Sequence, residues 1–251
     1  MPSDPNKRKR VLEPRIDSQT KKMDIGGLVI PPTSLITALL YGFAHHPKVI
    51  AKEYYFWRIC DELWNHEDLP EPMMVKHPWA EQMIRAALNN KYLSIGGSAS
   101  SGKSHTMAAW GIVNWLSQPR DTLVLMTSTT LREARKRIWG SVMSLLSVIE
   151  GAPIKIRDSI GNAAYVDEKE TLIERAGLSL IAAEKQKTRD AVGKFIGLKQ
   201  KRVILIGDEL AELSEAIVNA GLTNLSKNPF FQMIGMSNPN SRFDAFGVWS
   251  E

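Results

Sequence analysis

The sequence predicts an α/β fold with a mostly parallel central sheet flanked by helices, and three observations predict it. Short apolar runs (YLSI, TLVLMT, VILI, QMIGM) alternate with stretches whose apolar residues recur at helical spacing. The run at 92–95 leads into GGSASSGKSH at 96–105 and then into a helical pattern, giving strand, glycine-rich loop and helix in that order. The run at 203–206 ends in Gly207-Asp208-Glu209, which sets two acids at the carboxyl end of a strand, where open α/β sheets bind their ligands.

Taken in chain order, residues 1–30 read as a basic arm. Lys7-Arg8-Lys9-Arg10, Arg15, Lys21 and Lys22 precede any periodic segment, so the arm is expected to be disordered. Residues 31–75 read as an N-terminal helical segment in which KEYYFWRICDELW at 52–64 is amphipathic, and DLPEPMMV at 68–75 interrupts it. The remaining stretch, 76–251, reads as the core. HPWAEQMIRAALN at 77–89 is a helix with Pro78 near its first turn. After the loop come a helix at 106–116, a strand at 122–127 and a helix opening on Thr130-Leu-Arg-Glu133, a capping-box spelling. Short strands are expected at 163–166, 171–174 and 179–183, with a hairpin insertion among them. A helix is expected at 212–225, between the VILI and QMIGM strands.

Composition excludes several classes. With 251 residues, 43% of them hydrophobic, the chain can bury one sizeable core, or one core with a small appended unit. No apolar run approaches a membrane span and the amino end is charged, so no membrane association and a cytosolic setting are expected. The single Cys60 excludes an internal disulfide framework and a cysteine-based zinc site.

The chemistry sits in two motifs. Gly97-x4-Gly102-Lys103-Ser104 fills every fixed place of a phosphate-binding loop. Backbone N–H groups of Gly97, Ser98, Ala99, Ser100, Ser101, Gly102 and the helix start through His105 would face phosphate oxygens. Lys103 would reach the β- and γ-phosphates, and the Ser104 hydroxyl would ligate Mg²⁺. Asp208 would hold the same metal and Glu209 would orient and deprotonate the attacking water. A glutamate in that position favours hydrolysis over transfer to a small acceptor. Loop and acids together predict a P-loop NTPase of the ASCE/RecA-like type that binds ATP and Mg²⁺ and acts as a Mg-dependent ATPase. Ser237-Asn238-Pro239-Asn240, just past the last strand, is placed to hydrogen-bond the γ-phosphate or lytic water.

In order, HPWAEQ, GSASSGKS, VILIGDE and MIGMSNPN resemble the ATPase domain of large terminase subunits, the DNA-packaging motors of tailed bacteriophages, over roughly residues 70–245. The resemblance implies that Ser237 and Asn238 belong to a coupling motif and that Gln82 reads adenine. It implies double-stranded DNA as the translocated partner, a homo-oligomeric ring (a pentamer in this family) on a portal, a small terminase subunit, and the cytoplasm of a bacterial host. Many terminases carry an arginine in the loop where this sequence has Ala99. An arginine at the transferring phosphoryl group is worth about 10³–10⁵ in rate, so a replacement is expected, with Arg189 the first candidate, acting on a neighbouring subunit's ATP. The family's C-terminal nuclease domain would begin beyond Glu251, so no DNA cleavage is expected of this chain. Arg132, Arg135, Lys136 and Arg137, with Lys185, Lys187, Lys194, Lys199, Lys201 and Arg202, are candidates for contacts to DNA phosphates. Two other classes share some of these features: a helicase or remodelling ATPase domain, which would need a second RecA-like domain, and a nucleotide-binding regulatory module without turnover, which would have no use for Glu209.

Overall fold

Three-residue strands are too short to show periodicity in a sequence, and three of them lie in the stretch expected to be a disordered arm. They are β1 (Pro14–Ile16), β2 (Met23–Ile25) and β3 (Leu28–Ile30), an antiparallel meander in that order. Arg15 lies opposite Asp24, and Asp24 opposite Val29. The computed structural model describes residues 14–16, 23–25, 28–30, 34–128, 130–149, 152–166, 171–173, 175–182, 200–213, 218–219, 222–223, 225–238 and 246–247. Arg189, Lys185, Lys187, Lys194, Lys199, Pro239, Asn240 and half of the helix expected at 212–225 lie outside the described residues. The chain divides into two compact units, Met1–His77 and Pro78–Glu251.

In the first unit, α1 (Leu35–His45) starts at Ser34, whose hydroxyl accepts the Thr37 N–H at 3.3 Å and so satisfies one orphan donor of the first turn. Helix α2 (Val49–Trp64) buries Tyr55, Phe56, Ile59, Cys60 and Trp64. Gly42 of α1 admits the Tyr55 ring, since a Cβ there would stand 3.0 Å from it. The proline-rich stretch after α2 folds back: the Asn65 amide donates to Met74 O at 2.9 Å and accepts from Met74 N at 3.0 Å.

The second unit continues with α3 (Pro78–Asn89), β4 (Tyr92–Gly96), α4 (Lys103–Ser117) and β5 (Thr122–Ser128). Then come α5 (Leu131–Ala134), a π-helical turn (Arg135–Trp139) and α6 (Gly140–Leu146). Strands β6 (Ile154–Arg157), β7 (Asn162–Tyr165), β8 (Gly177–Ala182), β9 (Arg202–Asp208) and β10 (Phe231–Ser237) complete a seven-stranded sheet. Its order is β4-β10-β9-β5-β8-β7-β6; the first five strands run parallel, β7 pairs antiparallel with β8, and β6 pairs antiparallel with β7. The antiparallel hairpin is β6–β7; β7 and β8 fall on the strands expected at 163–166 and 179–183, whereas β6 lies before all three expected strands. The strand expected at 171–174 amounts to one bridge, Val166 to Leu172.

Strands β5 and β9 read as unbroken apolar runs because both faces are covered. On one face lies α4, brought close by Gly111, where a Cβ would meet Met126 Cε at 2.9 Å and Val124 Cγ1 at 3.1 Å. Elsewhere Leu123, Leu125, Val203, Leu205, Phe231 and Met233 join one buried cluster with Leu210 and Leu213. Gln232 ties α3 and α4 to β10: its amide donates to Ala87 O and Asn90 O, and its carbonyl accepts from Trp110 Nε1. Parallel strands so packed bring Gly96, Ser128, Asp208 and Ser237 to the carboxyl-terminal end of the sheet. No helix among the described residues is long and apolar enough to cross a membrane.

Candidate functional site

The loop between β4 and α4 takes its shape from two left-handed residues, Ser100 at φ 60° and Gly102 at φ 80°. Gly102 occupies the position before α4, and its carbonyl accepts the Thr106 N–H at 2.9 Å, closing the helix's first turn. Ser98, Ala99 and Ser100 form an exposed crest, while Ser101, Gly102, Ser104 and His105 are half-buried. Gly97 donates its N–H to Ser237 O at 3.2 Å, so the loop is pinned to the end of β10. Trp79, at the start of α3, packs on the loop: a Cβ on Gly97 would touch its indole at 3.4 Å. Gln82, one turn further along α3, is exposed.

Lys103 is buried at 8% exposure, and its ammonium donates to Gly97 O at 2.7 Å, Ser98 O at 2.8 Å, Ser101 Oγ at 3.3 Å and Asn238 Oδ1 at 3.4 Å. A cation withdrawn from water and satisfied only by neutral oxygens is poised to exchange them for anionic ones.

Across from the loop, the Ser104 hydroxyl donates to Asp208 Oδ1 at 3.1 Å. Asp208 is 3% exposed and its Oδ2 has no hydrogen-bond partner. Burial pushes the Asp208 carboxyl above the ordinary aspartate range; the Ser104 hydrogen bond offsets part of this, the Glu209 charge adds to it, and Arg137 and Lys103 oppose it. These donors fit magnesium: a hydroxyl and a carboxylate in contact are hard oxygen ligands, one carboxylate oxygen is orphaned, and such ions take one or two carboxylates and complete their shell with phosphate oxygens and water. No group of three His, Cys, Asp or Glu residues suited to a metal occurs among the described residues.

Glu209 follows at φ 54°, ψ 50°, a left-handed conformation that costs a non-glycine residue about 1–2 kcal/mol. Its carboxylate is gripped by Arg137, Nη1 to Oε1 at 2.5 Å, and Glu133 stands 3.6 Å from the same guanidinium. Ser237 and Asn238 touch both halves of the site. Ser237 Oγ accepts the Ala211 N–H at 3.2 Å, holding the turn that follows Glu209, and Asn238 reaches Lys103.

The structure therefore brings together Lys103, Ser104, Asp208, Glu209, Ser237 and Asn238. The Arg137–Glu209 pair is absent from the sequence reading. Glu133 and Arg137 carry an i,i+4 spacing that suggests only a helix-surface pair, and the π turn that turns Arg137 toward β9 has no composition of its own. Of the candidates for DNA phosphates, Arg202 is corrected. Arg137 is engaged by Glu209, and Arg202 is sunk against α4, donating to the Asn114 side chain and to Asn114 O at 3.4 Å, its pKa lowered by burial to about 10. Arg135 donates to Ser159 O and Lys201 pairs with Asp121 at 2.9 Å, while Arg132 and Lys136 are exposed.

No protein-family model matches the chain, and no curated protein sequence does. Solved structures do. The large terminase of bacteriophage HK97 is 13% identical over 79% of this chain and 40% of its own, with a TM-score of 0.59. An ATPase-domain mutant of the Thermus phage P74-26 large terminase is 15% identical over 75% of this chain and 71% of its own, with a TM-score of 0.53. The large terminase of a thermophilic bacteriophage, in complex with ADP, is 13% identical over 86% of this chain and 41% of its own, with a TM-score of 0.50. This chain spans about 40% of the length of the HK97 terminase and 41% of the ADP-bound one. At such identities the likeness is one of fold, and the fold is the P-loop NTPase fold of phage large-terminase ATPase domains.

Proposed function

We propose that this chain is the ATP-hydrolysing motor domain of a viral terminase large subunit, with its core over 76–251, driving double-stranded DNA into a procapsid. The observation that carries the reading is the Ser104–Asp208 contact of 3.1 Å, which joins the phosphate-loop helix to the acidic strand and puts Glu209 one residue away. The shared fold of terminase ATPase domains, one of them in complex with ADP, supports it.

In this reading Lys103 leaves Gly97 O and Ser98 O for the β- and γ-phosphate oxygens of ATP, and the loop amides around Gly102 hold the remaining phosphate charge. Ser104 and Asp208 hold the magnesium ion, which when bound would neutralise charge on the phosphate oxygens. Glu209 accepts a proton from the attacking water as its oxygen bonds to the γ-phosphorus; the bond from that phosphorus to the bridging oxygen breaks and ADP leaves. Glu209 can take that proton only when its carboxylate is released from Arg137. Gln82 reads adenine. Ser237 and Asn238 sense loss of the γ-phosphate because one is bonded to the turn after Glu209 and the other to Lys103. Arg189 completes the site of a neighbouring subunit in a pentameric ring on the portal, with a small terminase subunit, in the cytoplasm of a bacterial host. DNA cleavage is not assigned to these residues.

The test is ATP hydrolysis measured against protein concentration with and without duplex DNA. A rate per chain that rises with concentration, falls on Arg189→Ala and is abolished by Glu209→Ala is expected. Hydrolysis by Glu209→Ala at the parent rate would overturn the role given to that carboxylate.

A further inference from the structure

We infer that Ser128 is a positioning residue for Asp208, holding the carboxylate in place for the divalent cation; this rests on the nucleotide-site reading above. Strands β5 and β9 run parallel, and their last paired rung joins Thr127 to Gly207. Continued by one step, that register sets Ser128 of β5 level with Asp208 of β9. Side chains alternate along a strand, so Ser128 and Asp208 share one face while Thr127 and Gly207 share the other. The face of Asp208 is the one that meets Ser104; that of Gly207 meets Leu210, whose Cδ1 would lie 3.0 Å from an added Cβ.

Both residues carry an unpartnered oxygen. Ser128 is 0% exposed with no partner for its Oγ, and Asp208 Oδ2 is equally enclosed, Oδ1 being taken by Ser104. A buried polar atom left unpaired costs about 1–3 kcal/mol, and two such atoms on neighbouring positions of one sheet face can satisfy each other by a small side-chain rotation or through one water molecule. On binding of the cation the hydroxyl would donate to Oδ2, directly or through one water molecule. Other buried hydroxyls without partners do not serve. Thr122 begins β5 at the far end of the strand, and Thr127 is on the opposite face. With Oδ2 held by Ser128, Oδ1 keeps one direction toward the cation, which is how outer partners tune metal affinity.

The experiment measures Mn²⁺ binding by electron paramagnetic resonance in the presence of ADP, for the parent chain, Ser128→Ala, Asp208→Asn and the double variant, with ADP affinity in EDTA as the control for an intact loop. Ser128→Ala is expected to weaken Mn²⁺ binding about tenfold and to leave metal-free ADP affinity unchanged. In the Asp208→Asn background it should have no further effect, because Ser128 acts through that carboxylate. Mn²⁺ affinity unchanged by Ser128→Ala would overturn the inference, as would a loss of equal size in the Asp208→Asn background. If Asp208→Asn itself leaves Mn²⁺ binding intact, or the parent chain binds no ADP, the nucleotide-site reading has failed instead.

Discussion

Replacing Arg137 by alanine tests whether its grip on Glu209 restrains the reaction. Two unit charges about 4 Å apart attract by about 4 kcal/mol at the effective dielectric of a protein surface. The Arg137 side chain is 43% exposed and that of Glu209 25% exposed, so solvent competes for both ends of the pair. Pairs that wet contribute about 1 kcal/mol or less. The guanidinium therefore biases Glu209 toward the bound position by roughly fivefold in population. Single-turnover ATP hydrolysis by the isolated chain at physiological ionic strength is the assay. Arg137→Ala is expected to raise the rate by about fivefold, an upper limit set by that bias. The same chain bearing Glu209→Ala as well should be as slow as Glu209→Ala alone, since there is then no carboxylate to release. Thermal stability should fall by only a few degrees. A rate that drops toward that of Glu209→Ala would refute the reasoning, because it would mean that Arg137 serves the transferring phosphoryl group and does not restrain the glutamate.

Further outcomes follow from the same geometry. Lys103→Ala should weaken ADP binding at least about tenfold, the scale of one lost charge-assisted contact, in a calorimetric titration; retained affinity would undo the phosphate-loop assignment. Because burial raises the Asp208 pKa, the folded chain binds the proton more tightly than the unfolded one. Its contribution to stability is present below the ordinary aspartate pKa and is lost as pH rises through the raised value. Urea unfolding should accordingly show the parent losing stability relative to Asp208→Asn across that window, while Mn²⁺ affinity climbs over it; a constant difference between the two proteins would contradict the buried carboxylate. Gly177 at φ 130° opens β8 with the Ala163 carbonyl 2.2 Å from where a Cβ would be. Gly177→Ala should cost about 3 kcal/mol or more, lowering the melting temperature by about 6–12 °C, and a shift under about 2 °C measured calorimetrically would show that the strand yields.

The phosphate loop is legible in the sequence because its chemistry is local. Gly97, Gly102, Lys103 and Ser104 must follow one another so that backbone amides and one ammonium converge on the same anion. The strands around it are legible for a related reason: a parallel strand buried on both faces has to be apolar along its length, as VILI and TLVLMT are. The three strands before residue 31 are not, because three residues carry too little alternation to register. Among the basic residues Arg202 misleads, since a sequence displays its charge and not its burial against Asn114.

By itself, then, the chain's lettering determined the two motifs and the parallel strands and helices that carry them, since hydrophobic period and steric need are written residue by residue. Only the packed sheet decided that Ser104 meets Asp208, that Ser128 lies level with it, and that Arg137 closes on Glu209. Those partners are separated along the chain by 104, 80 and 72 positions. Their meeting is set by strand order and by the turn of one helix, quantities that belong to the whole fold and to no single stretch of residues.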